Sequence, residues 1–256
     1  MIPSLFVGHG APSIVLENNE YTDFLKKYAG TIPKPKGIII FSAHWESTVQ
    51  LIGNVPHYKM IYDFYGFPNE LYAVSYPAAG DPHLARQIHN TLLTDGIASE
   101  MDSVRGIDHG AWTILKLLYP DGEIPVVTMS VNPQLKPKEH YKIGQSLRKF
   151  KEDGYLILCS GGIVHNLRAL KYDSQRIDDW ALDFNQWVQD KVEKMDLDAI
   201  FDYQQAAPYS GLAVPRSEHF LNLLIALGTA NPANTPILRK NIYQYGNLSL
   251  DLWEFA

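Results

Sequence analysis

The residues of this chain best suited to chemistry are histidines that sit beside glycines, small residues or the ends of predicted elements. The chain has nine histidines, and five of them have such surroundings: His9, His44, His109, His165 and His219. A neutral imidazole is the commonest protein ligand for a transition metal, and imidazole also transfers protons near neutral pH. One such histidine alone would favour a structural role. Five together favour a metal-binding or catalytic site.

Three of these histidines come soon after apolar runs that predict buried strands. His9, His44 and His165 each follow such a run, and the run before His44, Gly-Ile-Ile-Ile-Phe-Ser, has neither charge nor alternation. That pattern is typical of a strand covered on both faces. Ligands collect beyond the carboxyl ends of the strands in an open α/β sheet, so we expect these imidazoles to meet at one edge. The runs span residues 2–7, 37–42 and 155–160.

The order of the remaining elements predicts the fold class. Predicted strands alternate with predicted helices, which favours an α/β fold with a mostly parallel or mixed central sheet flanked by helices. The predicted helices span residues 17–28, 82–94, 107–118, 137–151, 177–194 and 217–227. Further strands are expected at 47–52, 72–76 and 124–131, and a turn at Tyr245-Gly246-Asn247 within 241–255. Prolines and glycines are spread along the chain, so we expect one catalytic domain over residues 1–256, with its metal site at the strand ends.

Composition limits the classes of partner. The formal net charge is −6, and lysines and arginines form no cluster, which argues against nucleic-acid binding. No apolar run approaches the ~18 residues of a membrane helix, and the N-terminus lacks the basic start of a signal peptide. The single cysteine, Cys159, lies inside an apolar run and is expected to be a buried hydrophobe. The sequence therefore predicts a soluble cytoplasmic protein without a membrane partner.

The histidines by themselves leave the metal and the reaction open. Histidines without a cysteine partner do not match the structural zinc cages that depend on thiolates. They suit a catalytic zinc, whose bound water would favour hydrolysis, or a non-haem iron(II), which would permit oxygen chemistry. The sequence has no Gly-x-Ser-x-Gly elbow, dinucleotide fingerprint or P-loop, so other catalytic templates are weaker.

Six motifs, taken in order, resemble those of the class III extradiol ring-cleaving dioxygenases, the LigB-type superfamily, and within it the DOPA 4,5-dioxygenase-like branch. The motifs are Gly8-His9-Gly10-Ala11-Pro12-Ser13, Phe41-Ser42-Ala43-His44-Trp45-Glu46, Tyr76-Pro77-Ala78-Ala79-Gly80-Asp81-Pro82, Asp108-His109-Gly110-Ala111-Trp112, Ser160-Gly161-Gly162-Ile163-Val164-His165-Asn166-Leu167 and Glu218-His219-Phe220. Each motif alone is a weak signal. The ordered set is specific, and it runs from residue 8 to residue 220.

The resemblance implies a single bound metal, iron(II) for ring cleavage, with zinc as an alternative ion. The ligands it implies are His9, His44 and His219. The protocatechuate branch of the family has a glutamate at the third position, and this chain offers adjacent Glu218 and His219 there. The DOPA-like branch uses the histidine, so the resemblance favours His219.

The resemblance also implies the reaction. His165 matches the acid/base histidine of the family, close enough to the metal to count as a fourth ligand, and His109 matches a second pocket histidine. The implied partners are a small catechol, DOPA or a related compound, and O₂. Two alternatives remain open at this point: a zinc-dependent hydrolase using the same histidines, and a non-catalytic binding protein with this fold. His165 and His109 count against the second, since a binder needs no proton-transfer groups beside a metal.

Overall fold

The computed structural model describes residues 2–174 and 176–256, and one mixed sheet of eight strands forms its centre. The strands are β1 Ser4–Gly8, β2 Ile38–Glu46, β3 Gln50–Gly53, β4 Ser99–Asp102, β5 Val126–Val131, β6 Leu156–Gly161, β7 Ile237–Gln244 and β8 Leu248–Phe255. They lie in the order β4-β3-β5-β2-β6-β1-β8-β7. The neighbours β5, β2, β6 and β1 are parallel, whereas β7 and β8 are antiparallel.

Helices cover both faces of this sheet. They are α1 Glu20–Tyr28, α2 Asn69–Tyr72, α3 Pro82–Thr94, α4 His109–Leu118, α5 Pro137–Leu147, α6 Lys149–Glu152, α7 Asp179–Glu193, α8 Leu197–Phe201, α9 Tyr203–Ala206, α10 Ser210–Ala213 and α11 Glu218–Gly228. Short 3₁₀ helices span Pro12–Leu16, Ala29–Thr31 and Leu167–Ala169. The predicted α/β fold with a mixed central sheet is confirmed.

The central strands are apolar without alternation because each of their faces lies in a core. Successive side chains of a strand point to opposite faces. Ile38 and Ile40 of β2 belong to the core beneath α1 and α4. Ile39 and Phe41 belong to the core beneath α5 and α11. All four side chains are fully buried, and this burial fixes β2, which carries His44, between its two neighbours.

The structure corrects several predicted elements. The predicted strand at 72–76 is wrong: α2 ends at Tyr72, and residues 73–76 are irregular. The apolar side chains there are buried in the core beneath α1 and α4. Their hydrophobicity therefore reflects packing of an irregular segment. The predicted helix 137–151 is divided at Arg148 into α5 and α6. Strand β4 was not predicted, because its edge position leaves charged residues such as Glu100 exposed.

Strand β2 also extends beyond its predicted end at residue 42. Its pairing with β5 shifts register between Phe41 and Glu46, where pairing with Val131 resumes. His44 therefore lies within this irregular strand end rather than just after the strand. Across the described residues, no helix has the combined length and apolar character needed to cross a bilayer.

Candidate metal centre

Three imidazoles from distant parts of the chain meet at one edge of the sheet. His9 follows β1, His44 lies near the end of β2, and His219 is the second residue of α11. The Nε2 atoms of His9 and His44 are 3.1 Å apart. The ring centroid of His219 lies 5.0 Å from that of His9 and 5.2 Å from that of His44. One nitrogen from each ring falls within 4.8 Å of the others, a spacing at which three nitrogens can share one ion.

Two further histidines complete what we call the imidazole cluster: His9, His44, His109, His165 and His219. The ring of His165 stacks on that of His219, with centroids 3.5 Å apart and an interplanar angle of 11°. His109 begins α4, and its ring centroid is 4.0 Å from that of His44. The structure thus gathers all five histidines that the sequence singled out. Their division into metal ligands and proton-transfer groups stays a prediction.

The hydrogen bonds of His9 show which of its nitrogens is free. Its Nδ1 lies 2.9 Å from the hydroxyl of Ser160. That hydroxyl donates its own hydrogen to the carbonyl oxygen of Gly110, so it must accept from the imidazole. The Nδ1 of His9 therefore carries the hydrogen, and its Nε2 presents a lone pair to His44.

Carboxylates assign the same tautomer to three other rings of the cluster. Asp63 accepts from His109 Nδ1 at 2.8 Å, and its other oxygen lies 3.2 Å from His44 Nδ1. Glu218 accepts from His219 Nδ1 at 3.1 Å. Because a carboxylate only accepts, each Nδ1 carries the hydrogen and each Nε2 is bare. Metal-ligating histidines usually show this pattern, in which the second nitrogen donates to a carboxylate or similar group.

One bare nitrogen provides a direct test of whether the residues suit a metal. The Nε2 of His219 is buried and has no hydrogen-bond partner among residues 2–174 and 176–256. A buried polar atom left without a partner is costly, and a cation bound between His219, His9 and His44 would satisfy it. The donor set therefore fits a transition metal that accepts neutral imidazole.

Electrostatics keep three rings of the cluster, those of His9, His165 and His219, in the form that binds metals. The pKa values of His9 and His219 are held well below the ordinary value of 6.5, first by burial and then by repulsion from neighbouring imidazoles. Burial, with repulsion from His44 and His109, lowers the pKa of His165 to about 4. At neutral pH these rings are uncharged, and metal ions bind neutral imidazole.

Glycines allow the backbones that carry the imidazoles to approach closely. A Cβ on Gly161, at the end of β6, would lie 2.2 Å from the carbonyl oxygen of His219. A Cβ on Gly110 would lie 2.7 Å from the ring of His44. Asp108 then joins α4 to β2, since its carboxylate accepts from the Ala111 backbone N–H at the start of the helix and from the Ser42 hydroxyl.

The cluster opens into a cavity of about 620 Å³. Apart from the histidines, its walls are largely aromatic and aliphatic, including Phe64, Phe67, Leu170 and Leu248. A cavity of this size and character suits a small organic ligand. Polar side chains enter at one side, where Arg216 contacts Glu46 at 2.6 Å and Glu218 at 3.3 Å.

Sequence reasoning missed two residues that hold the imidazoles. Asp63 lies in a largely irregular segment, where no periodicity marks a residue as facing the site. Ser160 belongs to a recognised motif at the end of β6, but nothing in the motif indicates that its hydroxyl meets His9. For Asp63, the one signal available in the sequence was its position between the aromatic residues Tyr62 and Phe64.

Comparisons with known proteins agree with this geometry. The LigB family, described as the catalytic LigB subunit of aromatic ring-opening dioxygenase, matches residues 10–250. A 4,5-DOPA dioxygenase extradiol from Beta vulgaris is 35% identical, over 99% of this chain and 96% of that protein. Its namesake from Escherichia coli (strain K12) is 34% identical, over 97% of this chain and 93% of that protein. The crystal structure of an uncharacterized protein from Escherichia coli K12 covers 100% of both chains, with a TM-score of 0.85 and 28% identity. The chain therefore belongs to the LigB family of extradiol, aromatic ring-opening dioxygenases, as its ordered motifs predict.

Proposed function

We propose that residues 1–256 act as one catalytic domain that cleaves the ring of a catechol, DOPA or a related compound, with O₂. The observation that carries this proposal is the meeting of three imidazoles, one nitrogen of each within 4.8 Å of the others, at one edge of a cavity sized for a small ligand. The relatives named 4,5-DOPA dioxygenase extradiol support a catechol as the substrate. The chain's own lining residues support an aromatic ring, since Phe64 and Phe67 form one wall.

We propose iron(II) as the working metal, held by His9, His44 and His219. Three neutral imidazoles suit several divalent ions, and zinc would compete for the same nitrogens. Iron(II) can exchange electrons with O₂, whereas zinc cannot because it has no redox chemistry. The protein's part is to hold the ring, exclude water and manage protons.

We assign to His165 the role of accepting a proton from a catechol hydroxyl. It lines the cavity and stacks on His219, so a ring bound beside the metal would come within its reach. Because its pKa is lowered to about 4, chiefly by burial, the imidazole is neutral at pH 7 and has a lone pair available. The stacked geometry also allows it to join the metal as a fourth ligand, so its test must measure metal content as well as rate.

His109 lines the same cavity. Its Nδ1 is held by Asp63, which leaves Nε2 free to interact with the substrate. The ring of Phe64 meets that of His109 edge-on, with centroids 5.6 Å apart. A catechol lying against Phe64 would therefore have its polar edge near the imidazoles and its carbon skeleton against an apolar wall.

Oxygen uptake by metal-loaded protein tests this proposal. We expect protein loaded anaerobically with iron(II) to consume one O₂ per catechol and to form a yellow ring-opened product, and zinc-loaded protein to consume none. The substrates compared would be L-DOPA, dopamine, protocatechuate and 4-methylcatechol. His83→Ala, which removes an exposed histidine on α3, is the matched control and should retain full turnover. If the zinc-loaded protein hydrolysed an ester without O₂ while the iron-loaded protein consumed none, the function would be hydrolytic.

A further inference from the structure

We propose that Asp63 is a positioning residue that orients two imidazoles with a single carboxylate: the ligand His44 and the cavity residue His109. This inference rests on the proposed function, because it assigns work to Asp63 within the same site. Neither the ordered motifs nor the metal-ligand set includes this aspartate. Its role follows from the atoms that its two oxygens contact.

Three N–H groups converge on the Asp63 carboxylate. One oxygen accepts from the backbone N–H of His109 at 3.1 Å and from its Nδ1 at 2.8 Å. The other oxygen lies 3.2 Å from Nδ1 of His44. A carboxylate has two oxygens that only accept hydrogen bonds, so this side chain can accept from both rings at once.

The segment that carries Asp63 is held by hydrogen bonds of the two residues before it, so the carboxylate has a defined position. The backbone N–H of Ile61 donates to the carbonyl oxygen of Ile107 at 2.8 Å. The carbonyl of Ile61 accepts from the indole of Trp112 at 3.1 Å, and the hydroxyl of Tyr62 donates to the carbonyl of Val74 at 2.7 Å. The bond from Trp112 joins this irregular segment to α4, which also carries His109.

One carboxylate thus links two elements of the fold. His44 comes from the irregular end of β2, whereas His109 begins α4. The two rings lie only 4.0 Å apart between centroids, so a rotation of one ring would disturb the other. In contrast, among the rings of the cluster the Ser160 hydroxyl hydrogen-bonds only to His9 and the Glu218 carboxylate only to His219.

Zinc affinity of the Asp63→Asn variant tests this role without using turnover. An asparagine side chain has nearly the same size, but it offers one accepting oxygen and one N–H₂ donor. The N–H₂ would oppose the N–H of one imidazole and force that ring to flip or change tautomer. We expect the affinity for Zn²⁺, measured by competition with a chromophoric chelator, to fall about 10- to 100-fold. Asp63→Glu, which restores two accepting oxygens, should recover part of this loss.

Histidine nitrogen spectra separate positioning from a general structural effect. Long-range ¹H–¹⁵N spectra of the zinc-loaded wild type should show hydrogen on Nδ1 of both His44 and His109. Asp63→Asn should change the signals of these two rings, and Glu218→Gln should change those of His219 alone. Asp23→Asn, an exposed change on α1, is the matched control and should alter neither spectra nor affinity.

Two results would overturn the inference. One is a wild-type spectrum with hydrogen on Nε2 of His44 or His109, which requires no variant to fold. The other is an Asp63→Asn protein with unchanged zinc affinity and unchanged spectra for both rings. Loss of zinc binding with all five cluster signals shifted would also count against it, because that pattern indicates general unfolding. If the wild type binds zinc as expected yet, when loaded with iron(II), consumes no O₂ with any catechol, the proposed function fails while the positioning role of Asp63 stands.

Discussion

Two groups of buried polar side chains flank the end of β1, and they are satisfied in different ways. One is the imidazole cluster, which leaves Nε2 of His219 without a partner among the described residues. The other, which we call the Asp251 cluster, comprises Asp251 of β8 with Asn185 of α7 and Asn241 of β7. The amide of Asn241 donates to Asp251 at 2.6 Å and that of Asn185 at 3.3 Å. In the imidazole cluster one buried nitrogen has no hydrogen-bond partner among the described residues, whereas the polar side chains of the Asp251 cluster bond to one another.

The same contrast appears in one aspartate beside each cluster: Asp63, whose side chain is 25% exposed, and the fully buried Asp251. Hydrogen bonds from two imidazoles lower the pKa of Asp63 despite its partial burial. Asp251 is surrounded by neutral amides and a hydroxyl, so burial dominates and raises its pKa from 3.8 to about 6. Burial alone therefore does not determine the charge of a carboxyl group; the donors around it do. We therefore expect substitutions in the imidazole cluster to lower activity without lowering the free energy of unfolding. Substitutions in the Asp251 cluster should lower the free energy of unfolding without lowering activity.

The largest expected effect is that of His44→Ala. This change removes one of the three proposed ligands, so metal affinity should fall by more than the ~100-fold expected from loss of an outer hydrogen bond, and oxygen uptake should cease. The unfolding free energy of the metal-free protein should change little, because His44 is half-buried at the sheet edge. Metal content after dialysis and urea unfolding measure the two quantities. Normal metal content in this variant would remove His44 from the ligand set.

His165→Ala should have the next largest effect, this time on rate. Loss of a general acid–base group typically lowers turnover by about 10²–10⁴-fold. We expect kcat to fall within that range while metal content stays near that of the wild type. Should the metal be lost as well, His165 acts as a ligand, and its role as an independent proton acceptor is wrong.

Asp251→Asn tests the Asp251 cluster through the pH dependence of the free energy of unfolding. The folded-state pKa of Asp251 is raised to about 6, so the folded protein binds the proton more tightly than the unfolded chain. The stability that this group contributes is fully present below the unfolded pKa and is lost as pH rises through 6. That loss amounts to about 3 kcal/mol for a difference of this size. The asparagine variant lacks this titration, so its unfolding free energy relative to wild type should rise by a similar amount between pH 4 and pH 7.

Urea unfolding of both proteins across this pH range measures that difference. A fixed offset between the two proteins is expected in addition, because the asparagine replaces one accepting oxygen of the carboxylate with an N–H₂ donor. Only the pH-dependent part reports the titration of Asp251. A difference that stayed constant from pH 4 to pH 7 would show that the carboxyl group has an ordinary pKa.

The smallest expected effect is that of Gln189→Ala, which removes a residue behind the Asp251 cluster. Its amide donates to Asn185 at 3.3 Å, and the net value of one such hydrogen bond is about 0.5–1.5 kcal/mol. We expect the unfolding free energy to fall by about 1 kcal/mol or less, with zinc affinity unchanged. A change in zinc affinity would show that the two clusters are coupled through β1 and β8.

Much of the site's location could be predicted from sequence, because its histidines follow strongly apolar strands. The runs before His9, His44 and His165 identify buried strands, and parallel strands end at one edge. The order of the strands could not be predicted, since pairing between β1, β2 and β6 depends on contacts far apart in the chain. Nor could Asp63, because an irregular segment has no period that reveals which side chains point inward. The error at 72–76 has the same physical origin.

The strand order has a consequence for when the protein can acquire its metal. The first strand lies between β6 and β8, so the N-terminal segment gains one of its neighbours only when the last residues of the chain are available. The proposed ligands span residues 9 to 219. A nascent polypeptide on the ribosome therefore cannot present all three nitrogens until residue 219 has emerged. Ion capture by the full ligand set should consequently follow the synthesis of α11 and depend on the cell's metal supply at that moment.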